Sequence, residues 1–289
     1  MSHKFGQDLG TLLESVVLHM ILKPRLESFA KMKHYYLDWQ KDRPARQGKK
    51  VSWDDKYGNK HDLDFVIEIG GTDTMRGTPV AFIEAAWRRY TKHSKNKAQE
   101  IQGALLPIID LHHLSAPFYG VVLAGEFTKP ALEQLKNNRF AVLYIPYQDV
   151  VKSFAEVGFN IAFDETTSDA EYEKANKRLA KITTADMDAI RRALTEVSKA
   201  ETDRFMAALQ ATLERVIVQI ILTPLFGTEV KFKTVSEAIS QLSKLDKKKL
   251  VGVLHKIEVI VDYSNGDTIR ASFANDVGAT EFLNKLVTK

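Results

Sequence analysis

Two carboxylates set up the chemistry this chain could do. Asp64 sits near the start of the segment DLDFVIEIGG, and Glu84 lies in TPVAFIEAAWRR. Each segment is a short apolar run rich in β-branched residues, the first ending at Gly70-Gly71 and the second opening with Pro79, where a missing N–H does least harm. The two runs are predicted to pair as antiparallel strands across a loop of about nine residues. Equal-length pairing sets Ile69 opposite Pro79 and Asp64 opposite Glu84, and alternation puts Asp62, Asp64 and Glu68 on one face with Phe82, Glu84 and Ala86. Facing Cβ atoms in such a pair lie roughly 4.5–5.5 Å apart. Two carboxylates at that range repel unless a cation lies between them, and a hard divalent ion such as Mg²⁺ takes one or two carboxylates together with waters and phosphate oxygens. Beyond Glu84 the chain carries Arg88, Arg89, Lys92, His93, Lys95 and Lys97, with no acid before Glu100. Acid on the strands beside base on the next segment suits a phosphodiester.

This arrangement resembles the PD-(D/E)XK nuclease superfamily, in which an Asp on one core strand precedes a Glu-x-Lys on the next and a helix follows. The resemblance covers about the first 165 residues. It implies that Asp64 and Glu84 are the catalytic, metal-binding acids, that the Ala85 carbonyl is a further ligand, and that Glu14 is the helical acid completing the site. The family lysine falls on Ala86, so its role passes to the following helix, to Lys97 or Lys95, with Arg88 as another candidate. The resemblance further implies Mg²⁺ as cofactor, with Mn²⁺ able to substitute, double-stranded DNA as partner, and phosphodiester hydrolysis by a metal-activated water, as in a restriction-type endonuclease. Arg88, Arg89 and Lys92 would contact flanking phosphates in the DNA, and Gln99 would support the site from the helix. Because of Ala86, the alternative is a DNA-binding protein of the same fold that does not cut.

The elements that must position these groups follow from periodicity. Leu12, Leu13, Val16, Val17, Met20 and Ile21 form a helical stripe over 10–22, with Glu14 off its centre. A second helix is expected from Phe29 to Trp39. The basic stretch 42–50 (RPARQGKK at its heart) reads as a surface loop or a DNA-backbone contact. Residues 98–109 form an amphipathic helix capped by Ser94, so the basic residues crowd a helix N-terminus. The apolar runs 118–123 and 140–145, with an amphipathic segment between them, predict a strand–helix–strand crossover with parallel neighbours. A covering helix at 148–157 follows. The fold class is therefore α/β, a mixed central sheet flanked by helices.

Past Phe163 the composition turns acidic and polar. The chain is expected to divide into a nuclease-like core, 1–165, and a mainly helical accessory region, 166–289, for dimerisation or DNA recognition. Residues 170–222 read as helices, the second capped by Thr184 and the last, 206–222, apolar enough to be buried in a core or against a second subunit; a homodimer is the expectation. Two strands flanking Ser264-Asn265-Gly266-Asp267 form a hairpin, which could enter a DNA groove. No internal repeat is visible.

Other chemistries find no support. No phosphate-loop, dinucleotide or HExxH pattern occurs among the 289 residues. With no cysteine, thiolate metal sites and disulfides are excluded. Adjacent His112 and His113 cannot share a face. His93-Ser94-Lys95 with Glu100 approximates the HxK motif of the phospholipase D superfamily, but it ends in Glu and stands alone. A net charge of +4 is only mildly basic. No apolar run approaches the ~20 residues of a membrane span, and a cytoplasmic location is expected.

Overall fold

The structure is a computed structural model, and it describes residues 2–46, 48–89, 94–164, 166–224, 228–244 and 256–287. By packing, the chain divides into two compact units, 1–111 with 117–209, and 112–116 with 210–289. The helices just after residue 165 thus pack with the first unit. Tyr172 of one of them meets Phe5, with ring centroids 5.8 Å apart.

In the first unit, helix α1 (Ser2–Glu14) continues through a π-type stretch (Ser15–Leu22) into α2 (Lys23–Met32). Strands β1 (Tyr36–Trp39), β2 (Val51–Asp54), β3 (Lys60–Leu63), β4 (Phe65–Ile69) and β5 (Thr78–Arg88) follow. Then come α3 (Ser94–Leu111), β6 (Phe118–Gly125), α4 (Lys129–Asn137), β7 (Ala141–Pro146), α5 (Tyr147–Ala155), α6 (Asp169–Leu179), α7 (Thr184–Val197) and α8 (Lys199–Leu213). The main sheet has the order β1-β4-β5-β6-β7. It is antiparallel from β1 to β5 and parallel from β5 to β7, the mixed sheet the sequence predicts. The two crossovers place α3 and α4 on one face, as handedness requires. There Ala98, Ile101, Leu105, Ala131 and Leu135 bury against Val66, Phe82, Val121 and Leu123. The opposite face meets α1 through Gly10 and Trp87, α5 through Trp87 and Tyr147, and α8 through Phe118 and Phe205.

Several expectations are corrected. Residues 36–39 are not helical: Tyr36, Leu37, Asp38 and Trp39 pair with β4 as an edge strand, because their alternation offers one face to the core and one to a buried ion cluster. In that cluster Arg43 grips Glu68 through two bonds of 2.6 and 3.0 Å and Asp38 at 2.8 Å, while Arg46 reaches Asp38 at 3.0 Å. The arginines of the stretch 42–50 are therefore buried and paired, not held out for DNA. Arg43 also donates to the carbonyls of Thr72 and Met75, pinning the β4–β5 loop. Thr183, not Thr184, caps α7, in a reciprocal box with Asp186.

The second unit holds β8 (Ile217–Pro224), β9 (Val230–Phe232), α9 (Val235–Ser243), β10 (Ile257–Tyr263), β11 (Thr268–Phe273) and α10 (Asp276–Val287). Its antiparallel sheet runs β11-β10-β8-β9, with Ala238, Leu242, Ala279, Phe282 and Leu283 packed on one face. The expected helix over 206–222 ends at Leu213, and the β-branched run after it is a central strand. The apolar helix on which the expected dimer contact rested is thus not formed. The β10–β11 hairpin forms as expected. Yet β10 also pairs with β8, so the hairpin is an integral part of the sheet and not a free ribbon able to enter a groove. Two successive strand–strand–helix modules make up the unit, a repeat that the residue pattern does not display.

Candidate active site

The β4–β5 pairing brings the two acids together at one end of the sheet. The register matches Phe65 with Ile83, Val66 with Phe82 and Ile67 with Ala81, and its continuation puts Asp64 across from Glu84. The other end differs. A bulge at Val80 shifts the pairing, so Glu68 meets Pro79 and Ile69 meets Thr78, in place of the expected Ile69–Pro79 pair. Glu68 is spent on Arg43 and donates nothing to this site. Asp62 is exposed on β3, bound to Lys50 and Ser52 at 2.6 Å each.

Asp64 lies just before β4, and its Oδ2 accepts the Ala85 N–H at 2.7 Å. In an extended strand a residue's N–H and C=O point to the same side, so the Ala85 carbonyl faces the gap that Asp64 closes. Glu84 stands on the α3 side of β5, between Phe82 and Ala86. Its Oε2 is buried and has no hydrogen-bond partner among the described residues. Burial is the main cause that pushes the Asp64 carboxyl up to about 6; the Ala85 N–H and Lys97 oppose it and Glu14 adds to it. Burial likewise pushes Glu84 up to about 8, seconded by the charge of Asp64. Two carboxyls that resist ionisation together behave as a proton-sharing pair until a cation replaces the proton.

Glu14, at the end of α1, is exposed on the rim and acts on both acids through its charge. Among the described residues no three acidic or histidine side chains are grouped tightly enough to form a preformed metal cage. Glu14 lines the same chamber as the two acids. Lys97 projects from the first turn of α3, one turn before Ile101 on the row that continues through Leu105 and Ile108. It lowers both carboxyl pKa values and is 3.5 Å from Glu100. Lys95 points to solvent. Of the two candidate lysines, Lys97 is the one whose charge acts on the acids, and it lines the outer cleft together with Ala86.

Two neighbouring hollows with shared lining residues surround these groups. An inner chamber of about 240 Å³ is lined by Asp64, Glu84, Glu14 and Ala85, with Leu13, Val17, Leu18, Val122 and Ala124 as apolar wall. An outer cleft of about 990 Å³ runs between α1, the end of β5 and the start of α3. Glu14, Ala85, Ala86 and Trp87 line both. Arg88 faces the outer cleft, with Glu100 at 3.8 Å. Arg89 does not act as a surface phosphate contact. It is buried, with its guanidinium donating to the Tyr172 hydroxyl and lying 4.9 Å from that ring and 5.6 Å from Phe5. Gln99 is exposed and lies off both hollows. Lys92 and His93 lie outside the described residues.

The sequence reading missed Trp87 and the cleft-facing stripe of α1: His3, Gln7 and Thr11. Their signal was the polar complement of the buried stripe Phe5, Leu9 and Leu13, three to four residues apart. Gly125 was missed as well. It closes β6 beneath Trp87 with φ +102, and a Cβ there would stand 2.7 Å from that ring.

The donor set that converges on the inner chamber is entirely oxygen: two carboxylates and a backbone carbonyl. It suits a hard divalent cation rather than a soft one, and the unpartnered Glu84 Oε2 is the acceptor such an ion would satisfy. No family model matches the sequence, and no curated protein matches it. Among solved structures, the crystal structure of a protein of unknown function, AF1548, aligns over 66% of this chain and 97% of its own, at 10% identity and a TM-score of 0.28. So slight a likeness transfers neither fold nor activity.

Proposed function

We propose that the chain is a metal-dependent DNA endonuclease, hydrolysing phosphodiester bonds at the Asp64–Glu84 pair. The observation that carries this reading is the buried, unpartnered Glu84 Oε2 next to Asp64, both carboxyls being pushed toward the neutral form. Leaving a buried acceptor unsatisfied costs about 1–3 kcal/mol, and such perturbed acids mark functional sites more often than structural ones.

Asp64, Glu84 and the Ala85 carbonyl would hold Mg²⁺ or Mn²⁺, with Glu14 contributing directly or through water. The ion would supply a counter-charge for the phosphate and a water of lowered pKa. Asp64 is oriented for this by the Ala85 N–H, which fixes one of its oxygens and leaves the other to bind. Lys97 would hold its proton toward the phosphate oxygen on which charge develops, the task that Ala86 cannot perform. Arg88 would hold a neighbouring phosphate at the cleft. The resemblance to PD-(D/E)XK nucleases supports the same assignment, as does the mixed sheet. A cytoplasmic location remains part of the reading, whereas the homodimer has lost the helix on which it rested. What bears on the membrane is that no helix among the described residues is long and apolar enough to cross one.

Incubation of the full chain with plasmid and oligonucleotide DNA, with Mg²⁺ or Mn²⁺ against chelator, tests the reading. Cleavage is expected only with metal, and Glu84→Ala should abolish it while DNA binding survives. Salt-sensitive binding without cutting under any metal would favour the silent DNA-binding protein that Ala86 suggests. Undiminished turnover in Glu84→Ala would remove this site from the chemistry.

A further inference from the structure

The acids do not lie on an open surface. Among the described residues lining the outer cleft, neither Asp64 nor Glu84 occurs; both belong to the inner chamber behind it. A phosphate held in the cleft has a path past Trp87 to them, since both hollows share Glu14, Ala85, Ala86 and Trp87 as lining. One wall of that path is the polar face of α1, His3, Gln7, Thr11 and Glu14, spanning about 16 Å at the helical rise. The other is Arg88 with Asn96, Lys97 and Glu100.

A helix that reads a duplex stands clear of the protein, so that its ~10–12 Å body fills a groove ~12 Å wide. Helix α1 does the reverse. It buries Phe5, Leu9 and Leu13, sets Gly10 against the Trp87 ring, and turns its polar face inward on the cleft. The groups along the path are those that accommodate a separated strand. Arg88 and Lys97 can take phosphates, Gln7, Thr11 and Asn96 can hydrogen-bond exposed base edges, and Trp87 offers a ring at the junction of the two hollows, where a base can stack. Gly6 leaves this wall open, since nothing lies within 4 Å of where its Cβ would be.

We infer that the substrate is an unpaired strand: the outer cleft binds single-stranded DNA, or the unpaired arm of a flap or overhang, and delivers it to the acid pair. This departs from the expectation of double-stranded DNA as partner, and it rests on the nuclease reading above.

The test is fluorescence anisotropy of the full-length Asp64→Asn protein in chelator, which separates binding from turnover. The probes are a short labelled single strand, a blunt duplex of the same sequence, and that duplex with an unpaired arm. The single strand and the armed duplex should bind about tenfold or more tightly than the blunt duplex and should quench tryptophan fluorescence. Gly6→Leu, which has room for its side chain and raises helix propensity, should weaken single-strand binding about tenfold or more without lowering the melting temperature. Blunt duplex bound as tightly as the single strand, with Gly6→Leu without effect, would overturn the inference; metal-dependent cutting of that duplex by the wild-type protein would then still uphold the nuclease reading. If no DNA probe binds and none is cut with Mg²⁺, both fall.

Discussion

Replacing Glu84 by Gln should stabilise the metal-free protein at alkaline pH while abolishing its activity. The carboxyl is pushed up from an ordinary 4.5 to about 8, by burial first and by Asp64 second. A folded-state value above the unfolded one means that the fold prefers the protonated acid. That preference is intact below pH ~4.5 and is lost as pH climbs through about 8. Each pH unit between the two values is worth about 1.4 kcal/mol. If half is assigned to Asp64, which titrates with it, ionised Glu84 costs the fold roughly 2–3 kcal/mol near pH 8. Gln keeps the shape and removes the charge. In chelator near pH 8, the first unit of Glu84→Gln should melt roughly 5–10 °C above wild type, and near pH 4.5 the gap should close. Mg²⁺ should raise the melting point of wild type and leave the variant where it was. Differential scanning calorimetry at the two pH values, with and without Mg²⁺, decides it. A variant melting at or below wild type near pH 8, or a Mg²⁺ shift of equal size in both proteins, would refute the reasoning.

Lys97→Ala should lower turnover about 100-fold or more, whereas Lys95→Ala, at a solvent-facing position, should stay within about threefold; the same plasmid assay compares them, and parity between the two would displace Lys97 from its role. Arg43→Ala leaves Asp38 and Glu68 buried without their shared partner and should cost about 3–5 kcal/mol, read from urea unfolding. Gly10→Ala drives a Cβ to 2.9 Å from Trp87 Cδ1 and should cost about 1–3 kcal/mol, with a change in tryptophan emission as the helix is levered off β5.

The acid pair was legible in the residues because strand alternation is strict, and the half of the hairpin that carries Asp64 and Glu84 keeps the simple register. The crossover segments were legible for a similar reason: continuous apolar runs bounded by amphipathic helices leave little choice of topology. Arg89 was misread because its partners, Phe5 and Tyr172, lie far away in sequence, and nothing local distinguishes a buried arginine from an exposed one. The strand at 217–224 was taken for the tail of a helix because a continuous apolar run fits both; its many β-branched residues were the better guide. Arg43 and Arg46 looked like surface charge, since the acids that neutralise them come from β1 and β4. Periodicity sets which face a side chain occupies, but long-range pairing decides whether that face is dry.

The extra residue at Val80 has a consequence for how this protein can vary. It absorbs the mismatch between the anchored tip of the β4–β5 hairpin and the half that carries the two acids. Changes of length or composition near the tip can therefore be taken up locally, without rotating Asp64 or Glu84 out of phase. The two ends of the hairpin thus keep separate alignments, one set by the Arg43 anchor and the other by the plain strand register.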